Sequence, residues 1–201
     1  MAIEVIEEGC CNFVHIARGF LEHGEGRIRI RGDHNRIAIA RPTSCERLVV
    51  EIGGGSELRI WPDCILGTTY FHLEREGVLE IGAGCGINGR LHVFLHEKGA
   101  VRIGRHCLFG DGVEITVSDM HSIVDLATGL RVNPPRDVIV EDGVWVGANA
   151  ALLKGAHLGA GSVIGMRAVV TGAIPAHCVA AGVPARVLRR NVRWTPELLP
   201  Y

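Results

Sequence analysis

From Val140 onward an aliphatic side chain occupies every sixth position: Val140, Val146, Leu152, Leu158, Ile164 and Val170. Four residues after each stand Val144, Ala150, Ala156, Ser162, Ala168 and Ile174, most of them small. Glycine follows the aliphatic in Val146-Gly147, Leu158-Gly159 and Ile164-Gly165. The same spacing fits Ile103-Gly104, Phe109-Gly110 and Ile115, and earlier Ile81-Gly82, Ile87 and Val93, with echoes at Ile52-Gly53 and Ile28-Arg29-Ile30. An amphipathic helix repeats its apolar positions at three and four residues, and a half-buried strand alternates by two. A period of six fits neither. It fits short strands joined by tight corners, with the aliphatic pointing inward, the small residue at the bend and glycine where the backbone is crowded. One such strand cannot bury its face alone, so successive coils must stack. The expected fold is all-β, a parallel β-helix.

Composition agrees with many turns and a lean core. Glycine supplies 27 of 201 residues and aromatics only 5%, while a hydrophobic share of 47% excludes a disordered chain. With 21 Lys+Arg against 22 Asp+Glu there is no basic excess to hold a phosphate backbone, so no nucleic-acid partner is expected. No stretch approaches the roughly 18 consecutive apolar residues of a membrane span, and the acidic start Met1–Glu8 does not read as a secretory leader. Seven cysteines without regular spacing, two of them adjacent at Cys10-Cys11, read as free thiols in a reducing, cytoplasmic setting.

The register breaks between Ile115 and Val140. The intervening Asp119–Asp137 contains Asp119, His121, Asp125, Asn133, Pro134 and Pro135, and reads as a loop thrown out of the solenoid, where function tends to concentrate. Segments near Arg41–Arg47 and Trp61–Glu76 read as smaller insertions. The tail from Pro184 leaves the repeat, carries Arg186, Arg189, Arg190 and Arg193, and is expected to close the open end as an arm or short helix. The chain thus divides into an N-terminal segment 1–27, a β-helix 28–183 with its loop 119–137, and a C-terminal arm 184–201.

Val144-Trp145-Val146-Gly147, Ser162-Val163-Ile164-Gly165, Val169-Val170-Thr171, Ile174-Pro175 and Ala180-Ala181-Gly182-Val183-Pro184-Ala185-Arg186-Val187 resemble the hexapeptide-repeat acyltransferases. Ser118-Asp119-Met120-His121-Ser122-Ile123, followed by Thr128-Gly129 and Asn133-Pro134, is similar to the bacterial capsule and polysialic-acid O-acetyltransferases. The resemblance is specific over Val101–Arg189 and loose before it. It implies a left-handed β-helix assembled as a homotrimer, with acetyl-CoA bound between neighbouring subunits and a sugar or glycan as acceptor. The left hand comes from the resemblance alone, since general crossover rules favour the right.

Acetyl transfer to a hydroxyl needs a base for a weakly acidic proton, and imidazole, with an ordinary pKa of ~6.5, suits that task near neutrality. His121 occupies the position of the family's catalytic histidine and is expected to be that base. Asp119 either orients its ring, contacts the acceptor or caps its own turn. Trp145 matches a tryptophan that lines the family's active site, where an indole N–H can serve a developing oxyanion; the competing reading is plain packing. For CoA the matching positions are Gly147, Ala148, Met166, Thr171, Arg186 and Arg189, the arginines facing phosphates. Where many relatives carry lysine after the threonine, this chain has Gly172, and Arg167 or Arg190 is available to compensate. Asn133 and Asn88 are candidates for acceptor hydroxyls. No covalent acetyl-enzyme is expected, because no serine or cysteine is paired with His121 by more than sequence adjacency. His92, His96 and His106 raise the question of a metal, but their spacing does not match the metal-binding β-helices, and none is expected. Open alternatives are N-acetylation of an amino-sugar nucleotide, acetylation of serine, and a non-catalytic scaffold.

Overall fold

The computed structural model describes residues 2–200. It is a parallel β-solenoid of about eight turns. Each turn passes over three faces in the same order. Face I carries Gly86–Ile87, Leu108–Phe109, Trp145–Val146, Val163–Ile164 and Cys178–Ala181, stacked in parallel. Face II carries Ile3–Glu8, Gly26–Arg31, Arg90–Leu95, Val113–Thr116, Ala151–Leu152 and Val169–Val170. The long strands Ser44–Gly53 and Ile65–Leu73 bend around the corner from face I to face II, fusing the two into one 14-stranded sheet. Face III is a separate 8-stranded sheet running from Phe13–Ile16 to Ala173–Ile174.

Every aliphatic of the six-residue pattern is buried, from Ile28 and Ile52 through Ile103 and Phe109 to Ile164 and Val170. The register explains the regular half. Val140 pairs with Leu158 and Val146 with Ile164, eighteen residues apart, so one turn is three repeats. In the first half Ile39 pairs with Ile60 and Ile60 with Ile81, twenty-one residues apart. The longer face II strands absorb the extra residues, and a six-residue pattern dissolves there although the stacking continues.

Four sequence expectations need correction. Residues 61–76 are not an insertion, because Ile65–Leu73 is a full strand of the solenoid; the same holds for the end of Arg41–Arg47, which enters the strand Ser44–Gly53. The boundary expected between residues 27 and 28 falls inside the strand Gly26–Arg31, and Ile3–Glu8 and Phe13–Ile16 already stack in parallel on the turns that follow. Ile174 is not a corner residue: it pairs with Leu158 at sixteen residues, because the turn at Thr171-Gly172 is two residues short.

The small-residue positions form ladders down the corners. At the corner entering face I, Cys64, Cys85, Cys107, Val144 and Ser162 precede strands in mutual register, and Cys178 opens the next one. All six are buried. The thiols of Cys64, Cys85 and Cys107 donate to the carbonyls of Gly82, Gly104 and Glu141 at 3.3, 3.1 and 3.1 Å. Cysteine is used here as a small apolar residue whose weak donor finds a carbonyl. All seven cysteines are free.

Both ends are covered. The short helix Arg18–His23 packs near Ile3–Glu8 and buries Phe20 at the N-terminal end. The C-terminal segment is an extended arm, not a helix: Arg186–Arg190 pairs antiparallel with Cys178–Ala181 at the edge of face I. Among the described residues no helix is long and apolar enough to cross a membrane.

Candidate active site

The loop of residues 119–137 leaves the solenoid between Val113–Thr116 on face II and Val138–Val140 on face III, and so stands at the corner between those faces. It has almost no regular structure; a single bridge, Val124 to Arg131, closes its tip. What fixes its base is one amide. Asn133, only 5% exposed, donates to the carbonyl of His121 at 2.8 Å and to Asp119 Oδ2 at 2.7 Å, and its Oδ1 accepts from the Ile123 amide at 2.7 Å. Arg131 holds that amide from the other side, donating to Asn133 Oδ1 and to its carbonyl at 3.1 Å each. Arg131 is anchored in turn by a two-pronged pair with Glu97 at 2.7 and 2.8 Å. Such fork-to-carboxylate pairs fix direction as well as charge.

Asp119 accepts a further bond from Lys154, which rises from the next turn. Lys154 first, and Asn133 second, hold the Asp119 carboxyl below the ordinary carboxylate range. The carboxylate is therefore committed to fixing the loop. His121 follows through a tight turn in which its amide donates to the Asp119 carbonyl at 2.7 Å and Met120 takes a φ of 62°. The imidazole itself is exposed and makes no hydrogen bond among the described residues. Of the roles open to Asp119, ring orientation is thus not the one this arrangement displays; it pins the backbone that carries the ring.

Asp119, Asn133, Lys154 and Thr171 line one open depression with Ile123, Val132, Pro134 and Arg136. The other expected residues lie elsewhere. Trp145 projects from face I, 40% exposed, while its neighbour Val146 points into the core. Gly147 and Ala148 follow it at the corner between faces I and II, and Met166, 66% exposed, occupies the same corner one turn on. Asn88 stands at that corner too, two turns towards the N-terminus. Arg186 and Arg189 lie exposed on the arm at the edge of face I. In a three-faced prism the corner carrying His121 is opposite face I, so one chain does not bring His121 and Trp145 together.

Gly147 also has a purely structural reason to be glycine. A Cβ there would lie 2.7 Å from the Met166 amide nitrogen of the next turn, closer than any real contact. Gly172 is the reverse case: nothing lies within 4 Å of the Cβ it lacks.

Several residues escaped the sequence reading. Lys154, Arg131 and Glu97 fix the loop, but their pairings cross turns of the solenoid and leave no mark along the chain. Trp194 of the tail packs on Trp145, with ring centroids 5.9 Å apart, and donates from Nε1 to the Gly143 carbonyl at 2.6 Å. Of the histidines considered for a metal, only His96 has such company. Its neighbours are His72 and Glu74, not His92 and His106.

The bacterial transferase hexapeptide family (six repeats) matches residues 137–172. The chain is 35% identical over 98 residues to the polysialic acid O-acetyltransferase of Escherichia coli O1:K1 / APEC, covering 49% of this chain and 32% of that one. It is 42% identical over 67 residues to the polysialic acid O-acetyltransferase of Neisseria meningitidis, covering 33% and 31%. These matches span about a third of either relative's length. The crystal structure of the polySia-specific acetyltransferase NeuO superposes with a TM-score of 0.84 and 27% identity, over 98% of this chain and 90% of that one. The fold is that of the left-handed β-helix acetyltransferases. In its repeat, its relatives and its fold along nearly the whole length the chain resembles the hexapeptide-repeat acyltransferases, and among them the polysialic acid O-acetyltransferases.

Proposed function

We propose that the chain transfers an acetyl group from acetyl-CoA directly to a hydroxyl of a glycan or polysaccharide precursor, with His121 as general base. The observation that carries this reading is the loop base. Asn133, Lys154 and the Arg131–Glu97 pair hold the backbone on either side of His121 while leaving its imidazole free at the solenoid corner. A histidine packed for stability would be buried or bonded; this one is held out and unspent. Proton removal by such a base is worth ~10²–10⁴ in rate.

The separation of His121 from Trp145 supports an assembly of subunits. A pocket holding both requires the loop corner of one subunit to meet face I, or its corner with face II, of another. A closed homotrimer, as the resemblance implies, repeats that contact three times without leaving an unpaired surface. Acetyl-CoA then lies in the junction. Gly147, Ala148, Met166, Arg186 and Arg189 come from the face I side, and Thr171 comes from the loop side. The exposed guanidinium groups of Arg186 and Arg189 suit its phosphates. No metal takes part in this step.

Asn133 is already bonded on all sides, so its part is to position the loop, and Asn88 is the remaining acceptor candidate. Four free thiols are buried as ordinary core residues, while Cys10 and Cys11 are exposed and unbridged, which suits a reducing cytoplasm. The names of the two relatives make polysialic acid the first acceptor to assay. CoA release measured over polysialic acid, neutral glycans, amino-sugar nucleotides and serine tests the reading. Turnover with a hydroxyl acceptor, lost in His121→Ala, supports it. Turnover only with amines or serine replaces the acceptor class. Absence of acetyl-CoA binding leaves the scaffold reading.

A further inference from the structure

On face II, three donor groups from two adjacent turns converge. His72 ends the strand Ile65–Leu73 together with Glu74 just beyond it, and His96 follows Arg90–Leu95. Leu73 pairs with Leu95, which sets Glu74 beside His96. One ligand atom of each lies within 4.8 Å of the other two. From this convergence we infer that His72, Glu74 and His96 bind a divalent transition-metal ion of the zinc class.

The distances fit. Two donors bonded at ~2.0–2.2 Å to one tetrahedral ion stand about 3.3 Å apart. His72 Nε2 and Glu74 Oε1 are separated by 3.3 Å. That nitrogen is buried and without a hydrogen-bond partner, so the contact with Glu74 lacks the alignment of a hydrogen bond. A buried polar nitrogen left unbonded is costly, and a metal ion would satisfy it. The His72 and His96 rings are 4.5 Å apart between centroids. His96 and Glu74 are partly exposed, which leaves their side chains room to adjust around an ion. Two imidazoles and one carboxylate select zinc, cobalt, nickel or iron(II) over magnesium or calcium, which prefer all-oxygen shells. Three protein ligands leave a fourth position for water. The nearby cation Arg31 is already paired with Glu8 and Glu51, at 4.0 and 3.5 Å.

The position gives the ion a structural consequence. Glu97, next to His96, holds Arg131, which holds Asn133, which holds the His121 carbonyl. Tying His96 to the preceding turn stiffens the first link of that chain.

The test uses the full chain, stripped with a chelator and kept reduced with a phosphine, and Zn²⁺ or Co²⁺ alone as probe. Equilibrium dialysis is expected to give one zinc per chain. His96→Gln and Glu74→Gln should each weaken binding at least ~100-fold, at or beyond the 10–100-fold typical of losing a metal's outer partners. The Cys10→Ser/Cys11→Ser double variant, which removes the exposed thiols, should bind as the parent does. Co²⁺ on the parent should give visible bands of a nitrogen–oxygen site without thiolate charge transfer, a readout independent of how the variants fold. Failure to bind zinc, binding unchanged in both variants, or a thiolate spectrum would overturn the assignment.

Discussion

If the active site lies between subunits, two inactive variants should rescue each other. His121→Ala removes the proposed base, at a cost of ~10²–10⁴ in turnover. Trp145→Ala removes an indole donor, which at an oxyanion position costs ~10²–10³. Each homotrimer alone should therefore retain about 1% of activity or less by those same estimates. The topology places His121 on one corner and Trp145 on the opposite face, so on the proposed reading each site would take its histidine from one subunit and its tryptophan from the next. A hybrid trimer of either composition then contains a single junction where a Trp145→Ala subunit supplies His121 and a His121→Ala subunit supplies Trp145. About one third of its sites are intact, by the counting that closed cyclic symmetry imposes. Co-expression with two different affinity tags and sequential purification isolates those hybrids, and CoA release reads the outcome. Recovery from about 1% to about 30% of parental turnover is the expected result. If both residues served one subunit's site, every hybrid site would lack one of them, and activity would stay at the level of the single variants. That result would refute the geometric reasoning.

Other expectations can be checked singly. Gly172→Lys adds a cation where the structure leaves open space, and if CoA phosphates lie nearby it should lower the KM for acetyl-CoA by up to about fivefold, the scale of an exposed ion pair; an unchanged or raised KM counts against the proposed path of CoA. Ser162→Ala removes a buried hydroxyl that has no partner and should stabilise the fold by about 1 kcal/mol, read as a higher urea midpoint with the same slope, whereas a lower midpoint would mean that the hydroxyl is satisfied. Because Lys154 and Asn133 lower the Asp119 pKa in the folded protein, Asp119 contributes stability above the ordinary carboxylate range, and that contribution is lost as pH falls through the lowered value. Comparing pH-dependent unfolding of the parent with Asp119→Asn should show the parent's advantage level above about pH 4 and shrinking below it, with a small amplitude because the pair is partly exposed. An advantage that persists undiminished as the pH falls through the lowered value would contradict the assignment.

The second half of the fold was legible because each turn there is three identical repeats, so burial and sequence share one period. The first half was not, because turns of twenty-one residues spread the same stacking over longer strands. Residues 61–76 looked like an insertion for that reason alone. The loop announced itself by breaking the period, and His121 by the residues around it. What the sequence could not supply was the fixing of that loop. Glu97 and Arg131, or Asp119 and Lys154, are more than thirty residues apart and meet only because turns stack. His72 and His96 meet for the same reason. Gly147 carries two meanings at once, as a position matched to CoA and as a backbone approach too close for any side chain. The chain alone reveals only the first.

The central claim is that the exposed imidazole of His121 removes the acceptor's proton. Steady-state CoA release by the parent and His121→Ala, at saturating acetyl-CoA and varied glycan acceptor, addresses it most directly. The account predicts a fall in kcat of ~10²–10⁴ with the KM for acetyl-CoA little changed. A variant that turns over at the parental rate, or one that loses only acetyl-CoA affinity, would contradict it.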